Sequence, residues 1–234
     1  MTNEHHAKDP KHHQESWYDD AASYWDRVEP TVDGMLGGFS SLTDIDCRGS
    51  IKFIEEYVKP KRGPGGKLIS PRLDTKLACD CGAGIGRVSK NFLLKVFDKV
   101  DLVEQNPKFL DEGRKQFSQE QVDKYIPLGL QDFVPEAGRY DMIWCQWVLG
   151  HLTDDDFIEF FKRCKTGLKP NGLIGVKENT SEADYEIDEV DSSATRSIGK
   201  LTELFGKAGL AVVKQAKQNG FPASLFPVYM FILQ

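Results

Sequence analysis

Residues 77–90, LACDCGAGIGRVSK, constrain the fold of this chain more than any other stretch. A short apolar run passes directly into three glycines, Gly82, Gly84 and Gly86, and then into the start of a helical pattern. Glycine reaches positive φ at no steric cost and lets another molecule approach the backbone with no Cβ in the way. The segment therefore reads as strand, sharp turn and helix, with the turn open to a ligand. In the dinucleotide fingerprint GxGxxG the third glycine stands three residues after the second. Here it stands two after, so the turn departs from an NAD-type loop.

The rest of the chain repeats the same rhythm. The apolar runs KLACD, VDLVE, YIPLGL, YDMIWCQWV and GLIGVKEN alternate with helical patterns, and LAVVKQ and PVYMFIL follow near the C-terminus. Strands alternating with helices predict a parallel sheet covered on both faces. The expected fold is α/β and Rossmann-like, with a seven-stranded, mostly parallel sheet whose edge is closed by an antiparallel strand from the last two runs. A chain of 234 residues fits one such domain, spanning 16–234, after a disordered polar tail at 1–15 that carries two histidine pairs. Residues 16–75 read as an N-terminal helical extension: Trp17, Ala21, Tyr24, Trp25 and Val28 recur at helical spacing until Pro30. A loop, TVDGMLGGF, comes next, then a second helix with Ile45, Ile51, Phe53, Ile54, Tyr57 and Val58 on its apolar face. The stretch KPKRGPGG (59–66) reads as a basic solvated loop.

Candidate ligand-binding positions cluster at the C-terminal ends of the expected strands, where open α/β sheets bind their ligands. Glu104 ends the strand after the glycine turn and can accept hydrogen bonds from both hydroxyls of a ribose. Gln131 and Asp132 follow the third run and Gln146 ends the fourth, so all should face one crevice. Arg87 opens the helix after the turn and can pair with a ligand carboxylate. Between Glu182 and Asp191 lie six carboxylates, directly after a strand end, and residues 181–196 are expected to form an inserted acidic β-hairpin overhanging the crevice. The formal charge of −6 excludes a general attraction for nucleic acid and suits a cationic partner. The five cysteines contain no CxxC pair and read as reduced, apolar residues, and no metal site is expected.

The loop DCGAGIGR resembles the cofactor loop of Rossmann-like methyltransferases. Together with YW at Tyr24 and Trp25, TVDGMLGG, GLQDF, IWCQWVLGHLTD, RCKTGLKPNG, VKEN and DSSATR, the chain from about Tyr24 onward is similar to the protein α-N-terminal methyltransferases, which act on chains beginning X-Pro-Lys or X-Pro-Arg after removal of the initiator methionine. The resemblance implies that Gly82, Gly84, Arg87, Glu104, Leu130, Gln131 and Gln146 bind S-adenosylmethionine, the product being S-adenosylhomocysteine. Glu104 stands where relatives commonly carry Asp. It further implies a peptide channel lined by Tyr24, Trp25, Trp147, His151, Asn179, Asp188, Asp191 and Ser193, with Leu36 and Leu42 in a covering entrance loop. Phe226 stands where some relatives have Tyr, leaving no hydroxyl there. A monomer that binds N-terminal peptides, with no membrane or nucleic-acid partner and with a place in nucleus and cytoplasm, completes the expectation.

The chemistry itself supports these positions. Displacement at a methyl group on a sulfonium needs a nitrogen lone pair in line with the sulfur, and a free α-amino group titrates near ~7.7–8.0. A modest base is enough to free that lone pair, and Asp191 and His151 are the two candidates. Trp147 can hold a flat proline ring, Asn179 can fix the first peptide unit, and Asp188 and Asp191 can attract a basic third residue. Competing readings are a lysine side-chain or small-molecule methyltransferase using the same donor, and a non-enzymatic acidic adaptor for basic peptides.

Overall fold

A computed structural model describes residues 16–234, and the tail expected at 1–15, with its histidine pairs, lies outside the described residues. The chain begins with α1 (Trp17–Asp26), α2 (Val32–Met35) and α3 (Thr43–Val58), followed by a ribbon of β1 (Lys61–Arg62) and β2 (Leu68–Ile69). The alternating part comprises β3 (Leu77–Cys81), α4 (Arg87–Asn91), β4 (Lys99–Val103), α5 (Pro107–Arg114), β5 (Val122–Ile126), β6 (Tyr140–Gln146), α6 (Asp154–Gly167) and β7 (Leu168–Asn179). Next come β8 (Tyr185–Asp188), β9 (Ser193–Arg196), α7 (Ile198–Lys207), β10 (Val212–Lys217) and β11 (Val228–Leu233).

Seven strands form the main sheet in the order β10-β11-β7-β6-β3-β4-β5, and β11 alone runs against the others. This corrects the expectation of an antiparallel strand at the edge, because β11 is inserted between β7 and β10. Burial explains the order. The apolar run of β11 is buried on both faces apart from Tyr229, whereas β10 alternates between partly buried and exposed positions. A strand covered on both faces reads as a continuous apolar run, and an alternating strand suits an edge. One core cluster packs Phe157, Phe160, Phe161 and Phe205 against Phe231. The other packs Phe53, Ile54 and Phe92 with Trp144.

The N-terminal part departs from expectation in three ways. The loop after Pro30 contains α2, whose N-cap Thr31 accepts a hydrogen bond from the Gly34 amide at 3.0 Å. The buried face of α3 includes Asp46 and Ser50 beside Cys47, Phe53 and Ile54, so it is less apolar than its periodicity suggests. The basic loop at 59–66 is partly ordered as the β1–β2 ribbon, turning through Gly65 at φ 71° and Gly66 at φ 77°. At the sheet, β3 is flanked by β4 on one side and β6 on the other. The loops leaving β3 and β6 therefore diverge, and that divergence opens a crevice.

Candidate active site

Two open cavities lie over this crevice, side by side. Trp25, Met35, Trp147 and His151 line both, so the cavities meet at these four side chains.

The glycine turn forms one wall of the first cavity. A Cβ at Gly82, where φ is 72°, would stand 2.4 Å from Val148, and Gly84 also has positive φ at 55°. The turn is tied down from both sides. Asp80 accepts from the Ser89 amide at 3.0 Å and the Ser89 hydroxyl at 2.7 Å, while burial pushes its carboxyl up to about 6. Glu104 accepts from the Gly84 amide at 2.9 Å and the Asn106 amide at 2.8 Å, and burial raises its carboxyl above the usual range. Each carboxylate oxygen of Glu104 keeps a second lone pair, as a ribose diol requires. Across the cavity, Arg163 holds the loop after β5 by donating to the carbonyls of Leu130, Gln131 and Phe133. Leu130 and Gln131 thereby line the cavity, while Asp132 is exposed outside it, which corrects its expected place. Arg87 and Gln146 line the same cavity, and their side chains converge on the buried Asp46. An acid for a ribose, an apolar slot and a buried guanidinium fit a nucleoside that bears an amino-acid carboxylate.

The second cavity is lined by Leu36, Leu42, Asn179, Asp191, Ser193 and Phe226, among others. Two of its polar atoms, Asp191 Oδ1 and Trp147 Nε1, are buried without a hydrogen-bond partner among the described residues. Such atoms are costly unless a ligand engages them. His151 differs, because its Nδ1 lies 3.1 Å from the Ser192 carbonyl and its Nε2 lies 3.0 Å from the Trp25 indole nitrogen. An indole N–H only donates, so Nε2 accepts and Nδ1 carries the proton. Burial lowers the pKa of this imidazole and favours the same neutral form.

Trp147 sits at φ 52°, unusual for a residue with a large side chain. Its amide donates to the Lys177 carbonyl at 3.1 Å, and the next two amides, Val148 and Leu149, both donate to Glu178 Oε1 at 2.9 Å. Burial pushes the Glu178 carboxyl up to about 7, against the opposing pull of those amides. The sequence signal for Glu178 is an acid inside the apolar run that ends in VKEN, one residue before Asn179. A pH dependence follows from the sign of the shift. Between about 4.5 and about 7 the folded state binds more protons at Glu178 than the unfolded state does, so its contribution to stability falls as pH rises through that window. Glu178→Gln keeps an acceptor oxygen without the charge. Its melting temperature relative to the parent is expected to rise by roughly 5 °C between pH 4.5 and pH 8, and a difference independent of pH in thermal melts would refute this account.

Residues 181–196 form an antiparallel hairpin of β8 and β9. It is fastened by the buried Arg196, which donates to Asp154 Oδ1 at 3.0 Å and to the carbonyls of Leu149 at 3.0 Å and Leu152 at 2.6 Å. The Tyr185 hydroxyl also donates to Asp154, and from the opposite side the Tyr18 hydroxyl of α1 donates to Asp156. Two elements that border the second cavity, α1 through Trp25 and the hairpin through β9, are thus both attached to the first turn of α6. Two expected site residues are not brought in. Asp188 is exposed at the hairpin turn, where it accepts from the Val190 amide at 2.8 Å, a local bond that spends its side chain on the turn. Tyr24 lies outside both linings, edge-on to Trp25 with ring centroids 5.5 Å apart.

Comparison with known proteins bears on this geometry. Residues 13–234 match the model of the AdoMet dependent proline di-methyltransferases. The chain is 44% identical over 223 residues to N-terminal Xaa-Pro-Lys N-methyltransferase 1 of Danio rerio, covering 94% of this chain and 96% of that protein. It is 46% identical over 224 residues to alpha N-terminal protein methyltransferase 1 of Dictyostelium discoideum, covering 94% and 80%. Among solved structures, a SAM-dependent methyltransferase of Leishmania major superposes with a TM-score of 0.85 at 39% identity, covering 93% of this chain and 83% of that one. The 1,6-didemethyltoxoflavin-N1-methyltransferase of Burkholderia thailandensis, solved with S-adenosylhomocysteine, shares the fold at a TM-score of 0.68 and 16% identity, covering 97% and 90%. With a class I methyltransferase sheet, a cavity suited to its donor and a family match over nearly the whole length, the chain belongs to the AdoMet-dependent proline di-methyltransferases.

Proposed function

We propose that the protein methylates the free α-amino group of proteins that begin X-Pro-Lys or X-Pro-Arg once the initiator methionine is gone, using S-adenosylmethionine and releasing S-adenosylhomocysteine. The observation that carries this reading is the meeting of the two cavities at Trp25, Met35, Trp147 and His151, beside the unpartnered carboxylate oxygen of Asp191. The curated relatives named for Xaa-Pro-Lys N-termini support the choice of substrate.

The donor supplies an electrophilic methyl group on a sulfonium, and the chain's own residues do the rest. In the first cavity Gly82, Gly84, Glu104, Leu130 and Gln131 receive the nucleoside, with Arg87 and Gln146 toward the amino-acid end. In the second, Trp147 and the apolar Leu36 and Leu42 receive the proline ring. Asn179 and Ser193 offer hydrogen bonds to the first peptide units. Asp191 accepts the ammonium proton and leaves the lone pair free to attack. His151, with its Nε2 lone pair engaged by Trp25, orients the Trp25 indole at the junction. Asp188 adds negative charge at the rim, attracting a basic third residue without a contact inside the cavity. The same reading places the protein in nucleus and cytoplasm as a monomer, and no helix among the described residues is long and apolar enough to cross a membrane.

The main alternative, methylation of a lysine side chain, would ask the same carboxylate to deprotonate a group titrating near ~10.4 rather than ~7.7–8.0. Mass spectrometry with an X-Pro-Lys peptide and labelled donor tests the proposal. The label is expected on the first residue alone, and acetylating the N-terminus should abolish it. Label on the lysine, or none from an active preparation, would overturn the reading.

A further inference from the structure

Beneath the first cavity lies a buried ionic cluster that neither cavity explains. Asp46 of α3 is fully buried, with its Oδ2 2.7 Å from Arg87 Nη1 and its Oδ1 2.5 Å from Lys177 Nζ of β7. Gln146 Nε2 donates to both carboxylate oxygens at 3.0 and 2.9 Å. Lys177 Nζ also donates to the Asp46 carbonyl at 2.9 Å, Ser50 Oγ at 3.1 Å and Gln218 Oε1 at 2.8 Å. Every one of these partners accepts: the Ser50 hydroxyl spends its proton on the Asp46 carbonyl, and the Gln218 amide nitrogen donates to the Asn219 carbonyl. A neutral amine would turn its lone pair toward an acceptor, so this set of partners holds an ammonium. Burial alone would raise the Asp46 carboxyl, yet Lys177 and Arg87 override it and keep it below the usual range, and burial lowers the Lys177 amine against the opposing pull of Asp46.

A buried ion pair of one carboxylate and one guanidinium would be self-sufficient and would offer a ligand little. Here two cations share one carboxylate. We infer that Lys177 is a positioning residue: it serves as the counter-ion of Asp46, so that Arg87, at the cavity wall, keeps its charge for the carboxylate of the bound donor. Asp46 sets where Arg87 points, and Lys177 sets how much of its charge remains unspent. Asp80 also feels the charge of Arg87, but through space only: its hydrogen bonds go to the Ser89 amide and hydroxyl, and burial pushes its carboxyl up to about 6. The inference rests on the assignment of Arg87 to the amino-acid end of the donor.

The test compares binding of S-adenosylhomocysteine with that of its decarboxylated analogue, which keeps the amine, by calorimetry on the full chain. The parent protein is expected to prefer the carboxylate-bearing ligand by roughly 10- to 100-fold, the worth of a hydrogen bond to a charged group. Lys177→Met leaves Asp46 to claim Arg87, and the preference should fall by about tenfold while affinity for the decarboxylated analogue stays within about twofold. Adding Asp46→Asn to Lys177→Met returns the charge of Arg87 to the ligand, so the double variant should regain the preference. Asp46→Asn alone, readable even if Lys177→Met does not fold, should increase the preference several-fold. Equal losses for both ligands in Lys177→Met would reduce Lys177 to packing and overturn the inference. So would a double variant worse than the single, or no increase in Asp46→Asn. A parent protein with no preference at all would instead overturn the assignment of Arg87.

Discussion

Asp191→Asn is expected to lower the maximal rate at saturating peptide by about 10²- to 10⁴-fold near pH 6.5, the usual worth of a positioned proton acceptor. The expectation comes from the contrast between two neighbours. Asp191 Oδ1 is buried and unpartnered in the lining of the second cavity, whereas both ring nitrogens of His151 are already engaged. An amide at position 191 keeps the shape and loses the proton affinity. The deficit should shrink at pH 9, where an α-amine titrating near ~7.7–8.0 is mostly neutral before it binds. His151→Asn should act differently, because it releases the Trp25 indole rather than removing a base. Its rate loss is expected to be similar at pH 6.5 and pH 9. Steady-state kinetics with an X-Pro-Lys peptide decides: if Asp191→Asn keeps a normal maximal rate across this range, deprotonation belongs to bulk solvent.

Glu104→Ala is expected to weaken S-adenosylmethionine binding by at least about 100-fold, from two hydrogen bonds to a charged group at roughly 1.5–3 kcal/mol each. The structure adds a second cost. The same carboxylate satisfies the Gly84 and Asn106 amides, so its removal also loosens the glycine turn that shapes the cavity. Glu104→Gln separates the two effects, since its amide oxygen can still accept from a backbone amide but carries no charge. Calorimetry should place it between the parent and Glu104→Ala. Unchanged affinity in a folded Glu104→Ala protein would remove the ribose role altogether.

The features legible in the sequence are those written over short distances. The glycine turn, Glu104 at the end of the next strand and the acidic segment after β7 each follow from local spacing, and the sheet followed from alternation. What stayed hidden depends on partners far apart in the chain. Asp46 and Lys177 are separated by 131 residues, and a lysine in an apolar strand or an aspartate on a helix reads as solvent-facing until the partner is in place. The place of the antiparallel strand, one in from the edge rather than at it, stayed hidden because two adjacent strand-like runs look alike without the burial of each face. Asp188 looked equivalent to Asp191 by charge, and only the hairpin turn distinguishes them. His151 stands beside Asp191 as a candidate base because residue type carries no information about which lone pairs are engaged, and the sequence does not show the Trp25 and Ser192 contacts.

The attachment of both α1 and the hairpin to the first turn of α6 has a consequence for how the channel unfolds locally. Trp17, Tyr18 and Trp25 reach His151 and Asp156 from one side, and Tyr185 and Arg196 reach Leu149, Leu152 and Asp154 from the other, so the two share one short stretch, 149–156, as their foundation. Walls anchored to separate elements would open independently, each with its own local free energy. With a common anchor, opening of the 149–156 stretch releases both together, and the amides of α1 and β9 become one cooperative opening unit rather than two.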